Sequence, residues 1–187
     1  EGVTAQLVVN LTTALDCMKK GIIPVMIDEE AAVKRDFAPQ IVVDAIMAKH
    51  NLNTSITDAS IVIGLGPGFT AGVDCHAVIE TKRGHFLGKV LYQGQAFPDT
   101  GVPGEIAGHS GDRIVRTPQA GIFYTKAQIG DMVCKGDMVA CVDQTPVLAP
   151  IDGCLRGLLP NGIIVTAGMK AGDVDPRGIV SHCFSIS

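Results

Sequence analysis

Three short, almost wholly apolar runs in the first third of the chain predict buried β-strands. They cover residues 22–28, 41–46 and 60–65. Runs of this length are typical of strands that are covered on both faces, as in a parallel sheet. A short helix precedes the first run, with Thr12 or Thr13 as its N-cap, and helices or loops join the other runs. The pattern therefore predicts an α/β layer with parallel strands.

The third run leads into a glycine-rich turn that is a candidate anion-binding site. Glycine has no Cβ, so successive backbone N–H groups can converge on a phosphate or carboxylate. In parallel sheets ligands bind at the carboxyl ends of strands, where this turn, Asp28 and Asp44 all lie. The alternative is a tight strand exit whose glycines only permit close packing. The predicted binding residues are Gly64, Gly66, Gly68, Thr70, Gly72 and Asp74.

Two known phosphate-binding motifs fit this turn poorly. The dinucleotide fingerprint fits only in its relaxed form, read from Gly66 to Ala71. A Walker A loop is excluded because no Gly-Lys-Ser/Thr follows. After the turn, residues 77–81 and 86–92 flank the turn-like segment 82–85, which predicts a β-hairpin with cations at its tip.

The second half of the chain predicts a small β-barrel. A Gly/Pro-rich segment comes first, and then the unit Gly-Asp-Met-Val occurs twice, at 130–133 and 136–139, with a weaker echo at 162–174. Short strands, glycine turns and an internal duplication are typical of such barrels. The two halves resemble the hairpins of a biotinyl/lipoyl-type barrel-sandwich hybrid. Carrier domains of that kind hold a lysine at a hairpin tip, and residues 143–147 contain none, so no biotin or lipoate attachment is expected.

Composition limits the classes of partner. The formal net charge of −4 does not favour nucleic acid. No apolar run approaches the length of a membrane span, so the 47% of hydrophobic residues are expected in a core or in a homo-oligomer interface. The six cysteines are scattered without a C-x-x-C pair, which predicts reduced thiols in a cytoplasmic protein. No clustered ligand set predicts a metal site.

Four segments together resemble one family. They are GLGPGFTAGVDCHAVIETKRGHFLGKV, TGVPG, RIVRTP and KAGDVDPRG, in this order. The combination resembles the YqeB family, accessory proteins encoded with selenium-dependent molybdenum hydroxylases. The resemblance implies a role in maturing such a client enzyme, with a molybdopterin-type cofactor or a nucleotide as ligand. Members of the family typically start with a further βαβ unit, which this chain is expected to lack.

The resemblance assigns no catalytic residue, so the roles follow from chemistry. Arg83, Arg113 or Arg116 can neutralise an anionic ligand, since guanidinium groups bind phosphate in a bidentate manner. Cys75 lies beside His76, a pairing that can favour a thiolate for sulfur or selenium transfer, and the alternative is an inert buried cysteine. Whether the chain is an enzyme stays open.

The predicted organisation has three parts. A Rossmann-like domain with a hairpin covers residues 1–95, a connecting segment covers 96–120, and a lipoyl-like barrel covers 121–187. The main functional hypothesis is cofactor or nucleotide binding at the glycine turn during maturation of a molybdenum hydroxylase. The alternative is a non-catalytic scaffold whose barrel docks the client enzyme.

Overall fold

The computed structural model describes residues 2–185, which form an α/β-type fold of mostly strands and few helices. The chain divides into two compact units between Thr100 and Gly101. The elements of the first unit are β1 (Ala5–Val8), α1 (Leu11–Lys19), β2 (Ile23–Met26), α2 (Val33–Phe37), β3 (Ile41–Asp44), β4 (Ile61–Leu65), β5 (Thr70–Ala71), β6 (Ala77–Ile79), β7 (Val90–Leu91) and β8 (Gly94–Gln95).

Parallel strands dominate the first unit, as the apolar runs predict. Strands β1 and β2, which precede and follow α1 in the sequence, pair in parallel. A second sheet has the order β3-β4-β6-β7. In that sheet β3, β4 and β6 are parallel, and β7 pairs antiparallel with β6. All three predicted strands are present but shorter than their apolar runs. The sequence reasoning missed β1, because Val8 is the single buried residue in it.

The prediction that these strands are covered on both faces is wrong. Ile23 in β2 is 52% exposed, and Ile41 and Val43 in β3 are 54% and 53% exposed. The connections from β3 to β4 and from β4 to β6, residues 45–60 and 66–76, contain no α-helix. Since helices in the crossovers are what cover the faces of a parallel sheet, the side chains of Ile23, Ile41 and Val43 stay exposed within the unit.

The N-cap of helix α1 is not one of the two threonines predicted from the sequence. Asn10, not Thr12 or Thr13, is the N-cap, and its Oδ1 accepts a hydrogen bond of 2.9 Å from the Thr13 backbone N–H. The Thr13 hydroxyl donates to the Asn10 carbonyl at 2.9 Å. Ala14 and Cys17 are buried on one face, and with Val8 they form a small core of their own.

The second unit consists of two antiparallel sheets. Its strands are β9 (Ile114–Arg116), β10 (Gly121–Thr125), β11 (Met132–Val133), β12 (Met138–Val142), β13 (Thr145–Leu148), β14 (Gly153–Leu158), β15 (Ile164–Val165) and β16 (Lys170–Asp175). Short 3-10 helices cover Gly111–Arg113 and Val180–Phe184. The sheet orders are β13-β12-β10-β15 and β11-β14-β16-β9. Both sheets contribute to one hydrophobic core around the fully buried Phe123 and Leu155.

The repeated Gly-Asp-Met-Val unit encodes one turn twice. Asp131 and Asp137 each accept a hydrogen bond of 2.8 Å from the backbone N–H three residues earlier. Gly130 and Gly136, which precede them, have φ of +102° and +94°, a range that favours glycine. The duplication therefore specifies local turn geometry.

The predicted connecting segment contains ordered elements. Strand β9 lies within residues 96–120 and pairs with β16 in the second unit. The bounds of the three predicted domains stay a prediction.

Strand β13 follows a tight hairpin turn at Asp143, whose Oδ1 accepts a hydrogen bond of 3.1 Å from the Ile122 backbone N–H. Within residues 2–185, no helix has the length and apolar character needed to cross a membrane.

Candidate functional site

The glycine turn is packed against the protein's own atoms. A Cβ added at Gly64 would lie 2.6 Å from the Phe69 ring, and one at Gly68 would lie 2.5 Å from the His50 backbone. At Gly66 it would lie 2.8 Å from the Thr81 hydroxyl, whereas at Gly72 it would meet open space. Gly66, Gly68 and Gly72 have φ of +82°, +109° and +85°. Close packing thus accounts for three of the four glycines.

Three of the backbone donors expected to hold an anion already have protein acceptors. The Gly66 N–H donates to the Ile79 carbonyl at 2.9 Å, and the Gly72 N–H donates to the Cys75 carbonyl at 2.7 Å. The Thr70 N–H donates to Asp74 Oδ2 at 2.7 Å. Asp74 therefore holds the turn in shape, and an anion would have to compete with these bonds.

The environment of Cys75 favours the neutral thiol. Cys75 is fully buried, and burial raises the pKa of its thiol above the usual value, with the charges of Asp74 and Asp44 adding to the effect. His76 does not act as its base, since His76 is exposed and its Nδ1 accepts a hydrogen bond of 3.0 Å from the Val62 backbone N–H. Sulfur or selenium transfer by Cys75 stays a prediction that this environment does not support.

The three candidate arginines lie in different surroundings. Arg83 is exposed in the connection between β6 and β7. Arg116 belongs to the second unit, where its guanidinium donates to the Gly168 carbonyl at 2.9 Å. Arg113 is buried there and forms an ion pair of 2.5 Å with Asp173. Of the three, Arg83 shares a unit with the glycine turn.

The aspartates that follow β2 and β3 organise loops. Asp28 accepts a hydrogen bond of 2.8 Å from the Val33 backbone N–H, and backbone donors of this kind hold the pKa of its carboxyl below the usual value. Buried Asp44 accepts bonds from the Thr54 hydroxyl at 2.6 Å and from the Ile46 N–H at 3.1 Å. Both carboxylates thus fix the segment that follows their strand.

A cavity of about 330 Å³ lies at the carboxyl end of β6. It is connected to the glycine turn through Gln95, whose side-chain amide donates to the Thr70 hydroxyl at 2.8 Å, and through the pairing of β5 with β8. This is the kind of concave, mostly apolar surface that small ligands occupy. The lining residues are Glu80, Phe86, Lys89, Leu91, Gln95, Ala96, Phe97 and Pro98.

Aromatic rings and cations meet at this cavity. The rings of Phe86 and Phe97 lie 6.0 Å apart between centroids. Lys82 Nζ lies 5.2 Å from the centroid of Phe97, and Lys89 Nζ lies 5.1 Å from the centroid of Phe86. Both distances fall within the range of a cation–π contact. The two ammonium groups are thereby held next to the apolar surface that a ligand would contact.

Glu80 places a carboxylate in the wall of the cavity. The residue is 3% exposed. Its Oε1 accepts a hydrogen bond of 2.7 Å from the Lys82 backbone N–H, and its Oε2 accepts one of 2.7 Å from the Phe97 N–H. These bonds close the loop between residues 80 and 97 and fix the carboxylate in one orientation.

A curated bacterial protein matches this chain over all 187 residues. The two sequences are 48% identical, and the relative is named "Uncharacterized protein YqeB" from Escherichia coli (strain K12). The chain belongs to the YqeB family. It spans 35% of the length of that relative. No family model and no solved structure matches the chain.

The cavity of this YqeB-family chain uses residues that the sequence reasoning did not single out. Gln95 and Phe97 lie at the start of the Gly/Pro-rich segment, and Phe86 was assigned to a strand of the hairpin. A signal was present in the sequence, since the hairpin brackets Phe86 between Lys82 and Lys89. The sequence did not indicate that the Phe97 backbone N–H donates to the Glu80 carboxylate, because this contact depends on the tertiary fold.

Proposed function

We propose that this chain serves in the maturation of selenium-dependent molybdenum hydroxylases and binds an anionic cofactor or a nucleotide in its first unit. The YqeB membership supplies the context, and the cavity at the carboxyl end of β6 is the observation that carries the binding function. The proposed ligand site is therefore the cavity beside the glycine turn and not the turn itself. Within this proposal the ligand is a molybdopterin-type cofactor or a nucleotide, and the protein works in the cytoplasm.

The chemistry of the cavity supports an anionic ligand with a ring. Phe86 and Phe97 offer apolar ring surface, on which a heterocycle can stack. Lys82 and Lys89 supply positive charge at short range, where an attached phosphate or carboxylate is attracted. Thr70 and Gln95 connect this surface to the glycine turn. Arg83 and Gly72, both exposed in this unit, are the remaining members of the proposed binding surface.

The α/β-type fold agrees with the proposal, and we propose a finer description of each unit. A Rossmann-like layer is the finer description that the parallel order β3-β4-β6 favours. A barrel-sandwich hybrid is the one that the two sheets with a common core favour in the second unit.

Ligand capture from the cell tests the binding function. The chain is isolated from cells that make molybdopterin, and bound small molecules are released by heat and identified by mass spectrometry. We expect a molybdopterin derivative or a nucleotide with the wild type and a loss of at least about tenfold when Lys82 and Lys89 are both replaced by serine, since each charge lies next to the site. Replacing the exposed Lys126 and Lys135 of the second unit is the matched control. Equal yields from all three proteins, or no ligand from the wild type, would refute the proposal.

A second function, docking of the client enzyme, is favoured by the outer face of one sheet in the second unit. Ile122 in β10 and Ile164 in β15 lie opposite each other in the register and are 39% and 83% exposed. Tyr124, two residues further along β10, is 39% exposed on the same face. Clustered exposed apolar side chains are typical of protein interaction sites.

Affinity capture of a molybdenum hydroxylase tests the scaffold. We expect Ile122→Lys combined with Ile164→Lys to abolish capture by the chain, because buried lysines at an apolar interface are costly. Leu87→Lys, on an exposed residue of the first unit, should leave capture unchanged. Capture that survives the double change would exclude this face as the docking site.

A further inference from the structure

We propose that the cavity beside Glu80 selects a flat heterocycle that presents two adjacent N–H donors, as guanine and pterin rings do, on a ligand with an anionic tail. This selection rests on the proposed function, because it names the chemical class bound at the same cavity. The argument combines the acceptor capacity of one buried carboxylate with the rings and cations around it.

The carboxylate of Glu80 has unused acceptor capacity, and Glu80 lines the cavity. An ionised carboxylate accepts about four hydrogen bonds in total, and each oxygen of Glu80 accepts one backbone bond. No salt bridge to Glu80 occurs among residues 2–185. A carboxylate that is 3% exposed gains little from water, so donors that enter the cavity are favoured.

Two parallel acceptor oxygens match two adjacent donors on one edge of a ring. Guanine and pterin carry a ring N–H next to an exocyclic amino group, so that both donors can reach the two carboxylate oxygens at once. The corresponding edge of adenine has an amino group next to a ring nitrogen with a lone pair. That lone pair would face a carboxylate oxygen, so the site is expected to reject adenine.

The rings set the pose of the ligand. Phe86 and Phe97 are 6.0 Å apart between centroids with an interplanar angle of 38°, so they already touch and leave no gap for a third ring. The heterocycle therefore stacks on the cavity side of these rings. A volume of about 330 Å³ lies at the lower end of the range for small-molecule sites, roughly 300–1,000 Å³, which suits a mononucleotide or a single pterin.

The lysines act on the tail of the ligand. Lys89 lines the cavity and Lys82 lies over the ring of Phe97, so both ammonium groups are close to where a phosphate attached to the heterocycle would extend. Lys82 and Lys89 are exposed to solvent, so salt weakens their attraction for an anion. Affinity should therefore fall with ionic strength, while the preference between bases should not.

Calorimetric titration of the 187-residue chain tests the selection with four probes: GMP, AMP, pterin-6-carboxylate and inorganic phosphate. We expect GMP and pterin-6-carboxylate to bind, with AMP at least about tenfold weaker, since AMP cannot form the bidentate contact with the carboxylate. Phosphate alone should bind too weakly to measure. The preference for GMP over AMP should persist when salt is raised.

Two substitutions separate recognition of the edge from stacking. Glu80→Gln presents one donor and one acceptor, so the GMP preference should fall about tenfold or more and shift towards AMP. Phe97→Leu should weaken GMP and AMP alike by about tenfold, through lost stacking. Phe37→Leu, on an exposed ring of the same unit, is the control. Thermal unfolding confirms that each variant is folded.

The outcomes distinguish the selection from the function on which it rests. Equal binding of GMP and AMP that is lost when Lys82 and Lys89 are replaced would overturn the selection and leave the proposed function standing. An unchanged ratio in a folded Glu80→Gln variant would also overturn the selection. Absence of binding by GMP, AMP and pterin-6-carboxylate would overturn both.

Discussion

At the scale of single residues, the glycine turn shows how glycines permit close packing at the end of a strand. Gly64 and Gly68 give room to Phe69 and to the His50 backbone, which is why bulkier residues are excluded. Gly72 has open space, so its positive φ is the only demand made on it. The requirement for glycine at these positions is therefore steric at Gly64 and Gly68 and conformational at Gly72.

This difference predicts unequal costs for two alanine substitutions. Gly68→Ala should destabilise the first unit by about 3 kcal/mol or more, because its φ of +109° is strained for alanine and its Cβ collides with backbone that cannot move aside. Gly72→Ala should cost about 1 kcal/mol, through φ alone. Urea unfolding of both variants gives the two free energies. Equal losses would contradict the packing explanation.

At the scale of elements, helix α1 shows a cap that residue preference alone does not identify. Asn10, Thr12 and Thr13 are all good N-cap residues, and the sequence offers them within four positions. Asn10 is the N-cap because its backbone is still extended, with φ of −159°, two residues after β1 ends at Val8, and the helix starts at the next residue. The selection depends on where β1 ends.

Alanine at two of these positions separates the alternatives. Asn10→Ala should reduce the unfolding free energy by about 1 kcal/mol, since the Thr13 N–H loses its acceptor. Thr12→Ala should be neutral or slightly stabilising, because alanine favours helix interiors. Equilibrium urea unfolding followed by circular dichroism measures both. A larger loss for Thr12→Ala would reassign the cap.

A second element, the 3-10 helix Val180–Phe184, is held close to β14 by two thiols. Cys154 and Cys183 have sulfur atoms 3.4 Å apart. Burial, with the neighbouring Cys183, raises the pKa of the Cys154 thiol to about 11, so its reactive thiolate is scarce at neutral pH. Their sulfur atoms need to approach by about 1.4 Å to reach the bond length of a disulfide.

Oxidation by glutathione disulfide should therefore link Cys154 to Cys183 slowly at pH 7 and faster as the pH rises. Both thiols lose a proton, and their two electrons reduce glutathione disulfide to two glutathione molecules. Mass spectrometry of peptides identifies the link, which should stabilise the second unit by about 2–4 kcal/mol. Cys183→Ser should abolish the link and Cys134→Ser should not. If no link forms at pH 7 or at higher pH, the two sulfur atoms cannot reach bonding distance.

At the scale of the whole molecule, each unit has its own source of stability. The second unit combines one hydrophobic core with a buried carboxylate, Asp175, whose Oδ2 lies 2.6 Å from the guanidinium of Arg177 and 3.6 Å from that of Arg156. The hydrogen bonds from Arg177, aided by the charge of Arg156, lower the pKa of Asp175 to about 2. The first unit has two smaller cores, and apolar side chains on its strands are exposed.

The lowered pKa predicts how stability depends on pH. A carboxyl group with a depressed folded-state pKa contributes its full stabilisation above its unfolded pKa, close to 4, and loses it as the pH falls towards 2. Arg177→Met should reduce the unfolding free energy by about 2 kcal/mol at pH 7, and the loss should shrink below about pH 4. Urea unfolding from pH 7 to pH 3 measures it, with Lys135→Met as control. A loss that is independent of pH would exclude the ion pair as its cause.

The sequence by itself determined the features that depend on neighbours along the chain. Apolar runs specified the parallel strands β2, β3 and β4, and the repeated Gly-Asp-Met-Val unit specified two identical turns, because periodicity and turn chemistry act over a few residues. The tertiary structure decided which groups face one another. It brought Phe97 to the Glu80 carboxylate, turned His76 away from Cys75 and filled the glycine turn with Phe69. Those outcomes rest on packing and on loop closure between distant segments, which no local pattern encodes.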